Sequence, residues 1–394
     1  MYFTRLPILS APAHPTLCPI ASNRGEGLRT CHAGFAVGRQ RMSEQITGRA
    51  SESGYTVVEN ASLQGRTTFR VPARAELLID VNRVDVLPEL FNLRMLQTCK
   101  TLVLGGGSNV LFVGDWPGVV VSMATRGIDV LDDRGDAAIV RVDAGENWND
   151  FVHWSLGHGY VGLENLALIP GNVGAAPIQN IGAYGVEVRE FIHRVEVFDR
   201  TQKTFAHLDN AQCEFAYRDS VFKRYPTRYV VTRVEFLLPR TRALRLDYTG
   251  VGEELARMNV QAPSAATVAE AVIRLRMRKL PNPALIGNAG SFFKNPIVST
   301  DSADQLRSQY PQMPIWDGPG NTKKLSAAWL IEACNFKGIR EGDAGVSTQH
   351  ALVLVNHGNA TGEQIRTLAK RICNTVQQRF NVQLQPEPLI VGAD

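Results

Sequence analysis

From about Thr67 onward the chain alternates between short apolar runs and turn-forming clusters, and before that point it does not. Leu102-Val103-Leu104 reads as a short buried strand running into Gly105-Gly106-Gly107-Ser108-Asn109. Residues 119–121 and 138–142 read as further strands. Residues 193–198 and 230–236 alternate apolar with polar, the pattern of half-exposed strands in mixed or antiparallel sheets. A helix over 150–156 takes its cap from Asn147 or Asn149 and ends at Gly157 and Gly159. After Pro281 the texture changes. Residues 302–308, 327–334 and 362–380 are helical by spacing, 351–355 is a buried strand between the last two, and a short strand lies around Leu389. This predicts a separate α/β domain of about one hundred residues, with no internal repeats.

A length of 394 residues exceeds one ordinary core, so two or three domains are expected. Residues 1–65 stand apart, with scattered Pro, Gly, Ser and Arg and no sustained period. Pro7, Pro12, Pro15 and Pro19 interrupt any apolar run a secretory leader would need. The segment is expected to be a disordered extension without catalytic role, or one lying upstream of a true start at Met42; an organelle transit peptide is the alternative. Residues 1–42 carry five arginines against Glu26 alone, which accounts for the whole formal charge of +4. The rest is neutral and offers no electrostatic footprint for nucleic acid. No apolar run approaches the roughly 18 residues of a membrane span. The six cysteines form no Cys-x-x-Cys pair and none has metal-ligand spacing to a histidine, so reduced thiols and no metal are expected.

Two glycine-rich stretches carry the candidate chemistry. Gly105-Gly106-Gly107-Ser108-Asn109 follows a strand, where backbone N–H groups can gather around a pyrophosphate. Val110 occupies the third glycine position of a dinucleotide fingerprint, and no Gly-Lys-Ser/Thr follows, so neither nucleotide motif is present. Taken alone, a plain tight turn is an even alternative. Residues 162–185 place glycine at 162, 171, 174, 182 and 185 among Leu166, Leu168, Ile169, Ile178 and Ile181. That run suits neither helix nor strand, and its apolar interleaving argues for a binding loop draped over a large flat ligand.

These stretches, with Tyr217-Arg218-Asp219-Ser220-Val221-Phe222-Lys223, residues 287–296 (Gly-Asn-Ala-Gly-Ser-Phe-Phe-Lys-Asn-Pro) and Pro386-Glu387-Pro388, give five blocks in one order. In that combination the chain resembles the UDP-N-acetylenolpyruvoylglucosamine reductase (MurB) family from Thr67 to Gly392. The resemblance implies an α+β fold, with a two-subdomain FAD-binding domain of the vanillyl-alcohol-oxidase (PCMH) type and a C-terminal α/β substrate domain. It implies boundaries at 66–280 (core 71–242), 281–382 and 383–394, the last segment carrying a catalytic glutamate. FAD is expected to be held without a covalent bond, consistent with the absence of histidine and cysteine from 105–110 and 171–185. NADPH is expected as hydride donor, a UDP-sugar as substrate, and a cytoplasmic monomer without nucleic-acid or membrane partner as the working form.

The roles follow residue by residue. Arg218 is expected to stabilise the developing carboxylate charge, because a guanidinium pairs bidentately and keeps its proton. Without the resemblance, an ordinary surface Arg218–Asp219 pair would be favoured. Ser291 is expected to give the proton to the carbanion-like carbon, and no Gly-x-Ser-x-Gly elbow marks it as a hydrolase nucleophile. Glu387, aimed by its flanking prolines and partly buried, is expected to share the polarisation of the enol through a hydrogen bond or in protonated form. The cofactor-binding candidates are Gly105, Gly106, Gly107, Ser108, Asn109, Pro170, Gly171, Gly174, Ala175, Ala176, Ile178, Ile181 and Arg276. The substrate-binding candidates are Tyr217, Tyr248, Lys279, Asn295 and His350, with a structural role for His350 equally open. Ala175 and Ala176 stand where some relatives have serines, which removes hydroxyl contacts. Trp154 and Trp329 read as core. The rivals are an oxidase on the same fold, which would not need Arg218, Ser291 and Glu387 together, and a silent flavin or UDP-sugar binding protein.

Overall fold

The computed structural model describes residues 54–392. The expectations for residues 1–53, including a start at Met42, lie outside the described residues. The remainder of the expected extension is corrected: Tyr55–Ser62 is a strand, paired antiparallel with Arg74–Val81 from Tyr55 opposite Val81 to Ser62 opposite Arg74. It is an edge strand with most of its side chains exposed, so its sequence lacks the apolar alternation that marks a buried face. Its β-branched Thr56, Val57 and Val58 were the available cue.

That strand opens a four-stranded sheet in the order Tyr55–Ser62, Arg74–Val81, Trp116–Met123, Lys100–Leu104, whose last three strands are parallel. Side-chain alternation sends its two faces to different partners. Leu77, Ile79, Val81, Val119 and Val121 meet Leu87, Leu90 and Phe91 in one core, together with Phe198 and Val230. Leu78, Val120 and Leu104 enter the core of the C-terminal part of the chain.

A five-stranded antiparallel sheet follows, ordered Thr204–Asp209, Ile192–Asp199, Tyr229–Pro239, Ala137–Asp143, Ile128–Asp133. Val142, Val195, Val234 and Phe236 bury one face with Trp148, Phe151, Val268 and Val272. These last residues come from helices Trp148–Gly157 and Ala265–Lys279. Asn147 caps the first helix by accepting from Asp150 N–H at 3.1 Å. Asn149 instead accepts from Leu168 N–H at 2.6 Å and so ties down the second glycine-rich stretch. Helices Val251–Arg257 and Ala265–Lys279 have no counterpart in the sequence reading. The second starts at a reciprocal Ser264–Thr267 cap, and Glu254 binds it through Arg278 Nη1 at 3.0 Å.

Beyond residue 281 lie a four-stranded sheet, a three-stranded sheet, and helices Thr300–Gln309, Ala327–Ala333 and Gly362–Phe380. The strand expected at 351–355 is narrower, Leu354–Asn356, because Val353 N–H bonds back to His350 O at 3.0 Å and makes a turn first. Trp329 packs against this core and Trp154 against the five-stranded sheet, both partly buried. The chain then returns: Leu389–Val391 pairs parallel with Val110–Phe112, setting the C-terminal segment beside the first glycine loop.

Candidate active site

The two glycine-rich stretches meet face to face. A Cβ on Gly106 would fall 2.8 Å from Gly171 Cα, one on Gly105 3.3 Å from Ala175 Cβ, and one on Gly171 2.7 Å from Ser108 Oγ. Glycine is therefore needed at Gly106 and Gly171 for the loops to approach each other. Gly107 and Gly174 answer to protein neighbours away from this seam, since added Cβ atoms would meet Arg66 O at 2.0 Å and Ala144 Cβ at 2.5 Å. Ala176 is buried at 1 % exposure, whereas Pro170 is exposed and Ile178 and Ile181 are half-buried along the second stretch. Asn109 faces inward: its Nδ2 donates to Gln179 Oε1 at 2.7 Å and to Glu387 O at 3.2 Å.

Arg218 sits in a tight turn closed by Ala216 N–H to Asp219 O at 3.0 Å and the reverse bond at 3.2 Å. Its φ of 55° lies in the left-handed region, as do those of Leu168, Asn180 and Tyr184 on the facing stretch. Non-glycine residues avoid that region unless their surroundings hold them there. Four bonds hold this turn. Ser220 Oγ donates to Ile178 O at 2.6 Å, Asn180 Nδ2 to Ala216 O at 3.1 Å, Arg218 Nη2 to Gly182 O at 3.0 Å, and Lys223 Nζ to Arg218 O at 3.1 Å. Asp219 pairs with Arg224 at 2.5 Å, so Arg218 does not form the surface pair with its neighbour.

Arg218 faces Glu387 instead. Nε and Oε1 lie 2.9 Å apart, with side chains 20 % and 11 % exposed. The attraction is ionic: the Nε–H does not line up with the oxygen, and Nε has no hydrogen-bond acceptor among the described residues. Glu387 is delivered by a short antiparallel contact, with its N–H bonded to Phe292 O at 2.8 Å and Lys294 N–H to Gln385 O at 3.0 Å. Ser291 precedes Phe292 and follows Gly290, whose φ is 68°. Its half-buried hydroxyl makes no hydrogen bond among the described residues. The three expected catalytic side chains thus come from three distant segments into one neighbourhood.

Further cations surround the pair. Burial, then the Lys294 ammonium, hold Lys223 below the usual lysine range, with Glu387 and Asp219 opposing. Tyr217 lies under both Arg218 (5.5 Å from ring centre) and Lys324 (5.4 Å). Burial pushes its phenol up, against the opposing Arg218 charge. Lys223, Lys294 and Lys324 were not singled out as site residues in the sequence, the first two following an apolar pair and the third another lysine. Burial pushes Arg276 below the usual guanidinium range, Tyr184 opposes this, and its only hydrogen bond among the described residues runs from Nε to Leu168 O at 3.2 Å.

The remaining candidates divide. Tyr248 is exposed and meets buried Tyr184 edge-on at 5.3 Å. Lys279 is exposed, close enough to His350 to help lower its pKa, after burial. Asn295 Oδ1 accepts from Ala327 N–H at 3.0 Å at the start of a helix, and its amide nitrogen has no acceptor among the described residues. His350 Nδ1 accepts from Leu352 N–H at 3.2 Å.

FAD fits this seam on two observations. Backbones of two glycine-containing loops line it with little side-chain bulk, and most of the Arg276 guanidinium, tied to the second loop only through Nε to Leu168 O, lacks partners among the described residues. Among the described residues no group of three or more His, Cys, Asp or Glu is arranged to hold a metal ion, and no helix is long and apolar enough to cross a membrane.

Comparison with known proteins agrees with this architecture. Residues 93–205 match the FAD binding domain model, and residues 282–391 match the model of the UDP-N-acetylenolpyruvoylglucosamine reductase C-terminal domain. The UDP-N-acetylenolpyruvoylglucosamine reductase of Xanthomonas euvesicatoria pv. vesicatoria (strain 85-10) is 52% identical over 345 residues, 87% of this chain and 99% of that one. That of Xylella fastidiosa (strain M12) is 51% identical over 355 residues, 89% and 99% of the two chains. The crystal structure of UDP-N-acetylenolpyruvylglucosamine reductase from Thermus caldophilus superposes with a TM-score of 0.59 at 26% identity, covering 85% of this chain and 98% of that chain.

Proposed function

The chain belongs to the UDP-N-acetylenolpyruvoylglucosamine reductase family, and from that premise we propose that it reduces the enolpyruvyl ether of UDP-N-acetylglucosamine to UDP-N-acetylmuramate. It is an FAD-dependent oxidoreductase. NADPH as the electron source, peptidoglycan precursor synthesis as the setting, and a cytoplasmic monomer as the working form belong to the same proposal.

The observation that supports it best is the convergence of Arg218, Glu387 and the unpartnered Ser291 hydroxyl. When bound, reduced FAD supplies a hydride to one alkene carbon. Negative charge then builds on the other alkene carbon and its carboxylate. The Arg218 guanidinium, bound among the described residues through Nη2 to Gly182 O, keeps N–H donors for that carboxylate, and it interacts more strongly as charge develops. Lys223 and Lys294 add positive potential. Glu387, already within 2.9 Å of Arg218 Nε, shares the guanidinium and orients it. Ser291 Oγ–H delivers the proton that completes the saturated ether, and the bound carboxylate keeps its charge throughout. Gly105, Gly106, Ser108, Gly171, Ala175, Ile178, Ile181 and Arg276 are the residues proposed to hold the cofactor, and Tyr217, Tyr248, Lys279 and the free amide nitrogen of Asn295 the nucleotide sugar.

The test is anaerobic. The bound flavin is reduced with NADPH, excess donor is removed, and UDP-N-acetylenolpyruvoylglucosamine is added while flavin absorbance is followed. Rapid reoxidation with formation of UDP-N-acetylmuramate is expected. A flavin that stays reduced until oxygen is admitted would make the chain an oxidase and overturn the substrate assignment.

A further inference from the structure

We propose that the adjacent amides Gln179 and Asn180 are positioning residues that fix the spacing between Glu387 and Arg218. This rests on the reading of those two side chains as catalytic. Gln179 reaches Glu387 through one intermediary: its Oε1 accepts from Asn109 Nδ2 at 2.7 Å, and the same nitrogen donates to Glu387 O at 3.2 Å. Asn180 reaches the Arg218 turn directly, donating from Nδ2 to Ala216 O at 3.1 Å.

Asn180 is fully buried, at 0 % exposure, and both ends of its side-chain amide are engaged. Nδ2 also donates to Glu187 Oε2 at 3.0 Å, and Oδ1 accepts from Arg189 N–H at 3.1 Å. Its left-handed φ of 48° is held by these bonds. Ala216 O, the acceptor, also closes the turn that presents Arg218, so a shift of Asn180 moves that turn. Consecutive Cα atoms are separated by about 3.8 Å across a planar peptide. One dipeptide is therefore tied to both halves of the 2.9 Å Arg218–Glu387 contact, to one through Asn109 and to the other through Ala216. Asn109 is thereby a link in this device, with its amide turned toward protein.

The experiment uses the FAD-loaded full chain and the variants Gln179→Leu, Gln179→Glu and Asn180→Gly, the last chosen because glycine accepts the left-handed φ. Displacing a reacting group by about 1 Å can cost roughly 10²-fold, so Gln179→Leu and Asn180→Gly should slow flavin reoxidation by the enolpyruvyl substrate about that much. Reduction by NADPH, flavin content, flavin absorbance and the calorimetric Kd for UDP-N-acetylmuramate should each change less than about threefold, because no ligand contact is removed. Gln179→Glu keeps an acceptor for Asn109 and should stay within about threefold of the parent in both half-reactions. Parent-like reoxidation in Gln179→Leu, or a Gln179→Glu variant as slow as Gln179→Leu, overturns the inference alone. Loss of flavin in parallel with rate overturns it in favour of a purely structural role. A parent enzyme whose flavin the substrate does not reoxidise overturns the functional reading, and this inference with it.

Discussion

The five-stranded sheet and the glycine-lined seam each enclose an arginine with acidic company, and they differ in what is left over. On the sheet, Arg233 Nε donates to Asp143 at 2.9 Å and Nη1 to Glu196 at 3.0 Å. Thr232 Oγ1 donates to the same Glu196 oxygen at 2.7 Å, and His207 stands 3.5 Å from the other. The residues face one another across the strands, Glu196 opposite Arg233 and Arg233 opposite Asp143. At the seam, Arg218 has one good hydrogen bond, to a carbonyl, and an ion pair whose N–H points elsewhere. A charge satisfied on the flat geometry of a ladder is structure. A charge held by a strained turn with a donor unmatched is arranged for something that arrives later.

The sharpest way to break this contrast is to remove each arginine in turn. Arg218→Met should slow flavin reoxidation by about 10³-fold, the scale of losing a preorganised donor at a developing anion, with NADPH reduction close to the parent rate. Stopped-flow absorbance of the two half-reactions checks it. Ser291→Ala should come next, slowing reoxidation by roughly 10²-fold while the flavin is still reduced by NADPH. An equal loss in both half-reactions would remove Ser291 from the role of proton donor. Arg233→Met should do the reverse: both half-reactions stay near parent rates, and stability falls by about 2 kcal/mol in urea titrations, because Asp143 and Glu196 are left partly buried without their cation. If Arg233→Met impaired reoxidation as strongly as Arg218→Met, the division into structural and poised charge would be wrong.

How much of this was legible beforehand follows from the same contrast. Helix 362–380 is bounded in the structure as its spacing indicated, since seven buried positions at helical intervals and a Thr361 cap all act locally. The blocks around Arg218, Ser291 and Glu387 were visible as words, and Ser291 and Glu387 come together through a pairing of Phe293 with Pro386 that no local pattern announces. Lys223 was invisible as a site residue, because its function depends on the carbonyl of Arg218 and the charge of Lys294. The edge strand Tyr55–Ser62 was missed because an edge does not bury the face that pattern reading detects. The glycines were correctly suspected of close approach, yet at Gly106 and Gly171 the approaching body is the other loop.

The smallest expected effect concerns His350, which the sequence left between ligand and structure. In the folded chain it behaves like the Arg233 row: Nδ1 is occupied by Leu352 N–H, and burial, followed by the Lys279 and Lys337 charges, holds its pKa below the usual 6.5, against the weaker pull of Glu332. Below about pH 6.5 the unfolded chain binds a proton there that the folded chain refuses. The unfolded state then binds more protons, so stability is fully present above that pH, falls as pH drops through it, and levels off once pH passes the folded pKa. His350→Gln should flatten that slope: between pH 7.5 and pH 5 on the order of the same buffers, its Tm should decline less than the parent's, with KM for the nucleotide sugar unchanged. A raised KM at an unaltered Tm slope would move His350 to the other side of the comparison, among the groups waiting for a ligand.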